Sequence, residues 1–156
     1  NGGIHEDSLN IINSKGQINN VIINNSFQDS IDFDFSVLDI NNIEVNNAGN
    51  DCIDLSSGKY NIKSLTVNNC ADKGISVGEA SISKISYVDI SNVGVGVASK
   101  DSSIIKIGGG IINGYNTCFA IYRKKQEFIG SIIEVEDKIC PKKDILVQKN
   151  SSYILK

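Results

Sequence analysis

Apolar residues recur along the chain in pairs whose members are separated by a single residue. Apolar residues two positions apart point to the same side of a β-strand, so each pair predicts a short strand with one buried face. Six such segments follow one another at a step of 22 residues. The first apolar residues of these segments are Leu9, Ile31, Ile53, Ile75, Val97 and Phe119.

A second strand is predicted in each repeat, after the first. Its paired apolar residues are Val21 and Ile23, Ile43 and Val45, Leu65 and Val67, and Val88 and Ile90. The step between them is 22 residues twice and then 23, which predicts a one-residue insertion near Ser83 to Tyr87. Asparagines follow this strand at 25, 47, 69 and 92, and we expect them to hydrogen-bond to one another across neighbouring repeats.

A repeat of 22 residues made of short strands cannot bury its own apolar side and must stack on its neighbours. The pattern therefore predicts an all-β fold, a single right-handed parallel β-helix of about six 22-residue coils over residues 1–140. An up-and-down barrel or a sandwich would not require equivalent residues to recur at so strict a step. Residues 141–156 leave the repeat and are predicted to form a C-terminal extension or cap. The first coil begins at Glu6-Asp7 with no cap before it, which predicts a fragment or domain of a longer protein, or a first coil that a partner covers.

Charge and composition narrow the choice of partners. The net charge of −3 argues against a nucleic-acid partner, which requires clustered positive charge. No apolar run approaches the roughly 20 residues that span a bilayer, so no membrane span is expected. Cys118 and Cys140 lie one repeat apart, which makes a disulfide conceivable, whereas Cys52 and Cys70 fall in different columns. The sequence favours buried free thiols.

Acidic residues collect on the outward positions of the second and third coils. They are Asp29, Asp32, Asp34, Asp51 and Asp54, and Lys73, Lys100 and Arg123 follow in coils four to six. Carboxylates stacked one coil apart raise each other's pKa unless a cation lies between them. Such a group can act as a general acid and base on a glycosidic bond, bind Ca²⁺, or form a solvated face neutralised by lysines.

The coils resemble those of the pectin-lyase-like right-handed β-helices of secreted and surface bacterial proteins. The resemblance covers roughly residues 4–140 and implies a polysaccharide partner and an extracellular or cell-surface location. Polygalacturonase-type glycosidases of this fold carry Asn-Thr-Asp, Asp-Asp and Gly-His-Gly on successive coils. Here the matching positions hold Gln28-Asp29, Asn50-Asp51 and Asp72-Lys73-Gly74. Because the amide of Asn50 cannot protonate a leaving group, that mechanism is not expected.

The polysaccharide lyases of this fold offer a second comparison. They abstract a proton α to a uronate carboxylate, often with a lysine or arginine base and Ca²⁺. The resemblance implies Lys73 or Lys100 as the base and Arg123 as the group that holds a carboxylate. Asp29, Asp51 and Asp54 would then bind calcium as a cofactor.

The function we favour from the sequence is a secreted or cell-surface domain that binds or lies beside a polysaccharide and is not a complete enzyme. The substrate-binding candidates are Asp32, Asp54, Tyr122, Arg123, Lys124 and Lys125, and Tyr60, Tyr87 and Tyr115 are further candidates for contact with sugar. A calcium-assisted lyase acting on uronates and a structural spacer are the alternatives. Besides a polysaccharide, the expected partner is the rest of a larger parent protein or a self-stacking neighbour.

Overall fold

The computed structural model describes residues 7–156, which form one parallel sheet of eleven strands wound into a solenoid. A short 3₁₀ helix, Lys142–Asp144, is also present. The strands are β1 (Asp7–Ile12), β2 (Lys15–Ser26), β3 (Asp29–Asp34), β4 (Val37–Ala48), β5 (Ile53–Ser56), β6 (Lys59–Gly78), β7 (Ile82–Lys100), β8 (Ile104–Tyr122), β9 (Ile132–Val135), β10 (Ile145–Val147) and β11 (Ser152–Leu155).

Equivalent residues of successive coils lie beside one another, as the 22-residue step predicts. Ile31 of β3 pairs with Leu9 of β1 on one side and with Ile53 of β5 on the other, in parallel register. The predicted parallel β-helix is confirmed. It has about seven turns rather than six.

The seventh turn escaped the sequence pattern because its steps depart from 22 residues. Ile132 pairs with Ile104, a step of 28, and Ile145 pairs with Phe119, a step of 26. Ser152 pairs with Ile132, a step of 20. Residues 145–147 and 152–155 therefore continue the stack of strands.

The core is a stack of inward-facing apolar columns. Ile53 and Leu55 of one coil are fully buried, as are Ile31 and Phe33 of the coil below. Full burial of such a side chain contributes about 1.5–3 kcal/mol relative to exposure. The paired apolar positions of the sequence thus point inward, as predicted.

The one-residue insertion lies upstream of the predicted position. Ser56 pairs with Gly78 at a step of 22, but Lys59 already pairs with Ile82 at a step of 23. The extra residue therefore lies in the turn between β6 and β7, before Ser83. Glu79 and Ala80 both adopt positive φ there, whereas Ser57 alone does so in the preceding coil.

Asparagines occupy a corner where the backbone is left-handed. Asn25, Asn47, Asn69 and Asn92 all have φ between 55° and 63°, a region that asparagine tolerates better than most residues. The Asn47 amide donates to Asn25 Oδ1 at 2.9 Å, and the Asn69 amide donates to Asn47 Oδ1 at 2.7 Å. The predicted asparagine stack is confirmed for these three; the amide of Asn92 donates instead to Asn68 Oδ1 at 2.8 Å.

A column of serines at the opposite turn was not predicted. The hydroxyls of Ser36, Ser81 and Ser103 each accept a backbone N–H from the coil below, at 3.0, 3.1 and 3.1 Å. Gly58 interrupts the column, and a Cβ there would collide with the Tyr60 hydroxyl, which lies 2.7 Å from the carbonyl oxygen of Phe33. The serine hydroxyls thus satisfy buried backbone donors at a tight turn.

The expectation of free thiols is wrong, because all four cysteines form disulfides. Cys118 pairs with Cys140, one repeat on, with Cα atoms 6.1 Å apart. Cys52 pairs with Cys70 at a Cα distance of 5.5 Å. Their two columns are four residues apart in sequence but converge at the asparagine corner. In the coil below, Ser26 Oγ and Ser30 Oγ in the same two columns lie 2.7 Å apart.

Candidate functional site

The predicted acidic residues do lie together, on the outward side of β1, β3 and β5 and the turns before these strands. We call this surface the acidic face. Asp7 stacks beside Asp29, and Asp32 stacks beside Asp54. The acidic face belongs to a strongly acidic part of the chain, since residues 7–58 carry eight carboxylates and one lysine.

Asp29 and Asp51 each bind the backbone of the next coil. Asp29 Oδ1 accepts the N–H of Asp51 at 2.8 Å and the side-chain amide of Asn50 at 2.8 Å. Asp51 Oδ1 accepts the N–H of Lys73 at 3.0 Å. Burial raises the pKa of Asp29, although these hydrogen bonds oppose the shift. The column therefore joins one coil to the next.

Lys73 is held by two carboxylates. Its Nζ lies 3.2 Å from Asp51 Oδ1 and also contacts Asp72 Oδ2. Burial by itself lowers the pKa of Lys73, but Asp72 and Asp51 outweigh this effect and raise the pKa above the ordinary lysine value. Burial also raises the pKa of Asp51 to about 6, against the opposing charge of Lys73. Lys73 is therefore a protonated partner of Asp51.

Asp32 has the most perturbed carboxyl on the acidic face. Burial, followed by the charges of Asp34, Asp7, Asp54 and Asp29, raises its pKa to about 7. Burial and the charge of Asp54 also raise the pKa of Asp34. Neighbouring acids and partial burial both disfavour the ionised form of a carboxyl group. The negative charge at the centre of the acidic face is therefore poorly neutralised by cations.

Lys100 reaches down the face from two coils above. Its Nζ lies 3.6 Å from Asp54 Oδ2, and its methylenes lie against Gly78, where a Cβ would be 2.8 Å from Lys100 Cε. Lys100 is only 9% exposed. Asp54 Oδ1 and Ser76 Oγ, in one outward column, are buried without a hydrogen-bond partner.

The basic loop at residues 123–125 lies to one side of the acidic face. Lys125 Nζ contacts Glu79 Oε1, and the N–H groups of Lys124 and Lys125 donate to Asp101 Oδ1 at 2.6 and 2.8 Å. Within residues 7–156, neither Arg123 nor Lys124 forms an ion pair. The structure thus brings Lys73 and Lys100 to the acids but leaves Arg123 and Lys124 apart from them.

The geometry does not support the predicted calcium site or a sugar contact by Tyr60. Over residues 7–156 there is no group of three or more His, Cys, Asp or Glu side chains arranged to hold a metal ion. The geometry therefore gives no support to calcium at Asp29, Asp51 and Asp54. Tyr60 cannot contact a sugar because it is fully buried, whereas Tyr122 is half-buried at the end of β8.

A groove that sequence reasoning missed runs along a different side of the solenoid, at the bend within β2, β4, β6, β7 and β8. It consists of three adjoining cavities of about 360, 350 and 690 Å³. The first two share Asp39, Asn61 and Lys63, and the second and third share Lys84 and Ser86. We call it the bend groove; its polar lining residues are Gln17, Asp39, Asn41, Asn61, Lys63, Lys84, Ser86, Lys106, Glu134, Glu136 and Lys156.

The outward residues at this bend differ from coil to coil, so no sequence column marked the groove. One column holds Gln17, Asp39, Asn61, Lys84, Lys106 and Glu134 in register. The bend itself is visible in the structure, where strand pairing is interrupted between Ile40 and Asn42.

Comparisons with known proteins add no family to this description. No protein-family model, no curated protein and no solved structure matches the chain. The part of the chain that the structure describes has no helix with the length and apolarity needed to cross a membrane.

Proposed function

We propose that this chain is a secreted or cell-surface domain that binds a polysaccharide without cleaving it. The observation that carries the proposal is the bend groove, a lengthwise channel lined by amide, hydroxyl and charged side chains from successive coils. A linear polymer can lie along such a channel and meet a new set of polar side chains at each coil, about 4.8 Å apart.

The chemistry of the groove suits a sugar chain. Asn41, Asn61 and Gln17 present amides that both donate and accept hydrogen bonds, and Ser86 adds a hydroxyl. In the part of the chain described, no aromatic side chain lines the groove. Binding would therefore rest on hydrogen bonds and charge rather than on stacking of sugar rings.

The contacts of the acidic face favour binding over catalysis. A lysine that acts as a general base must be deprotonated, but Asp72 and Asp51 hold the pKa of Lys73 above its ordinary value. Lys100 is paired with Asp54, and Asp29 and Asp51 are engaged with the next coil. Lys73, Lys100, Asp29 and Asp51 are thus engaged by neighbouring groups of the chain, and Arg123 lies apart from them.

The two disulfides support a location outside the cytoplasm. Cys52–Cys70 and Cys118–Cys140 are the kind of cross-links that persist in oxidising compartments. Extracellular or cell-surface placement agrees with a polysaccharide partner.

Affinity electrophoresis tests this proposal. The chain is run through gels that contain pectate, alginate, xylan or dextran, and each mixture is assayed for new reducing ends and for the absorbance of unsaturated uronates. Retardation by at least one polymer with no product is the expected result. Free migration in every gel would contradict the proposal.

A uronate lyase is the second candidate, because Lys73 and Lys100 do lie beside the predicted acids. It predicts new unsaturated uronate in the same assay, lost in Lys73→Ala. A structural spacer predicts neither retardation nor product, and concentration-dependent oligomers in sedimentation.

A further inference from the structure

We propose that the bend groove selects an anionic polysaccharide, one that carries a carboxylate or sulfate along its length. The inference rests on the proposed function, and it specifies the ligand's charge and the residues that recognise it. Its basis is a run of lysines in the middle of the groove, Lys63, Lys84 and Lys106, one from each of three successive coils.

Two of these lysines have no carboxylate partner. Among the described residues, no ion pair involves Lys63 or Lys84, and both side chains are exposed to the groove. This contrasts with Lys73 and Lys100, which are buried against aspartates. A lysine ammonium carries three donors and a full charge, so an unpaired row of them attracts anionic groups.

Two of the three acids that line the groove are engaged by other groups. Asp39 Oδ1 accepts the Asn61 amide at 2.7 Å. Glu134 Oε2 lies 3.3 Å from Lys106 Nζ and 3.0 Å from Lys156 Nζ, and these cations lower the pKa of Glu134. The Glu134 carboxylate is therefore shared between two lysines. The groove lining as a whole holds four lysines and three carboxylates, and the lysines lie mostly in its middle, from Lys63 to Lys106.

The spacing of the row fits a repeating anion. Lys84 and Lys106 occupy one column in direct register, and Lys63 lies on the preceding coil across the bend. Each coil advances about 4.8 Å, so the cations follow one another at short, regular steps along the axis. A neutral glycan would leave these lysines without counter-charges, whereas a polyanion would pair with several at once.

The test measures binding by isothermal titration calorimetry to polygalacturonate and to its methyl ester, which has the same backbone without charge. Dextran sulfate and dextran form a second matched pair that separates sulfate from carboxylate. The variant Lys63→Ala/Lys84→Ala removes the two unpaired groove lysines. Arg123→Ala/Lys124→Ala removes the same charge from the basic loop, where both residues are exposed, and serves as the matched control.

We expect the wild-type chain to bind one anionic polymer at least tenfold more tightly than its neutral partner. The groove variant should lose at least tenfold in affinity, the loop variant should bind like wild type, and both should unfold at the wild-type temperature. Equal affinity for charged and neutral polymers would overturn the inference while leaving polysaccharide binding intact. A loss confined to the loop variant would also overturn it, by assigning the charge contacts to Arg123 and Lys124. Binding to none of the polymers would contradict both the inference and the proposed function.

Discussion

The acidic face and the bend groove are both polar surfaces built from stacked coils, yet their side chains are used in opposite ways. On the acidic face, Asp51 accepts the backbone N–H of Lys73 and pairs with its ammonium. In the groove, Lys63 and Lys84 have no ion-pair partner among the described residues. The acidic column therefore joins one coil to the next through the backbone, whereas the groove leaves two of its lysines available to a ligand.

This division explains why the more conspicuous sequence signal is the weaker functional candidate. A carboxylate that caps the next coil must recur at a fixed position, so it produces a column that can be seen in the sequence. Groove side chains also contact one another between coils, as Asn61 does Asp39, but none of this column binds the backbone of the next coil among the described residues. The column is therefore free to change from Gln17 to Asp39, Asn61 and Lys84. Regularity at outward positions thus indicates a structural role.

Removal of the Asp51 carboxylate should produce the largest effect on stability. Asp51→Ala removes a buried carboxylate from the Lys73 ammonium and leaves the backbone N–H of Lys73 without its acceptor. The side chain of Asp51 is only 5% exposed and that of Lys73 only 16%. Breaking a buried pair by removing one member typically costs about 3–5 kcal/mol. We expect a loss of that size in the free energy of unfolding, measured by urea titration with circular dichroism.

Two variants give the comparison its control. Asp72→Ala removes the other partner of Lys73, but that carboxylate is 48% exposed, so a loss of about 1 kcal/mol or less is expected. Lys84→Ala in the groove should change the free energy of unfolding by less than about 0.5 kcal/mol. Similar losses in Asp51→Ala and Lys84→Ala would remove the distinction between the two surfaces.

Loss of the Cys52–Cys70 disulfide should cause the second-largest decrease in the free energy of unfolding. Cys52 directly follows Asp51, so the cross-link fixes the turn that carries the acidic face, and it closes a sequence separation of 18 residues. A disulfide that closes a loop of this size stabilises the folded state by about 3 kcal/mol. Cys52→Ala/Cys70→Ala should lower the free energy of unfolding by about that amount.

Reduction of the wild-type chain supplies the matching measurement. In the double variant, a reducing agent can act only on Cys118–Cys140, so its effect on urea unfolding should be smaller than on wild type. An equal effect in both chains would mean that Cys52–Cys70 does not stabilise the fold.

Repeat geometry could be predicted from the sequence because it depends on inward residues. Ile31, Ile53 and Ile75 each had to face the core, and the register between them follows directly. The seventh turn could not be found in this way, since its steps of 28, 26 and 20 residues hide the stacking of Ile132 and Ile145. Loop lengths vary freely in a solenoid as long as the strands still meet.

The sequence predicted which residues of the candidate site lie close together, but not which contacts they make. The columns placed Asp29, Asp51 and Lys73 together correctly, but they could not show that the carboxylates bind the N–H groups of the next coil. The disulfide between Cys52 and Cys70 was missed for a related reason, because two columns four residues apart converge only when the corner is folded. Distances across a corner do not follow from a one-dimensional repeat.

The last predicted effect is a pH dependence that belongs to the acidic face and not to the groove. The pKa of Asp32 rises from its ordinary value of 3.8 to about 7 in the folded chain, through burial and the charges of Asp34, Asp7, Asp54 and Asp29. Between these two values the folded state binds more protons than the unfolded state, so this group's contribution to stability falls as the pH rises from about 4 to about 7. Asp32→Asn removes the titrating group and keeps the shape.

The difference between wild type and Asp32→Asn isolates this contribution, because the other shifted carboxyls remain in both chains. Urea unfolding at pH 4, 5, 6 and 7 should show the variant gaining stability relative to wild type at each step upward, with most of the change complete by pH 7. The control is Asp89→Asn, at an exposed position on β7 outside the acidic face, and it should give a constant difference from wild type. A constant difference for Asp32→Asn as well would mean that the Asp32 carboxylate is ionised without penalty, and that the acidic face is as well solvated as the groove.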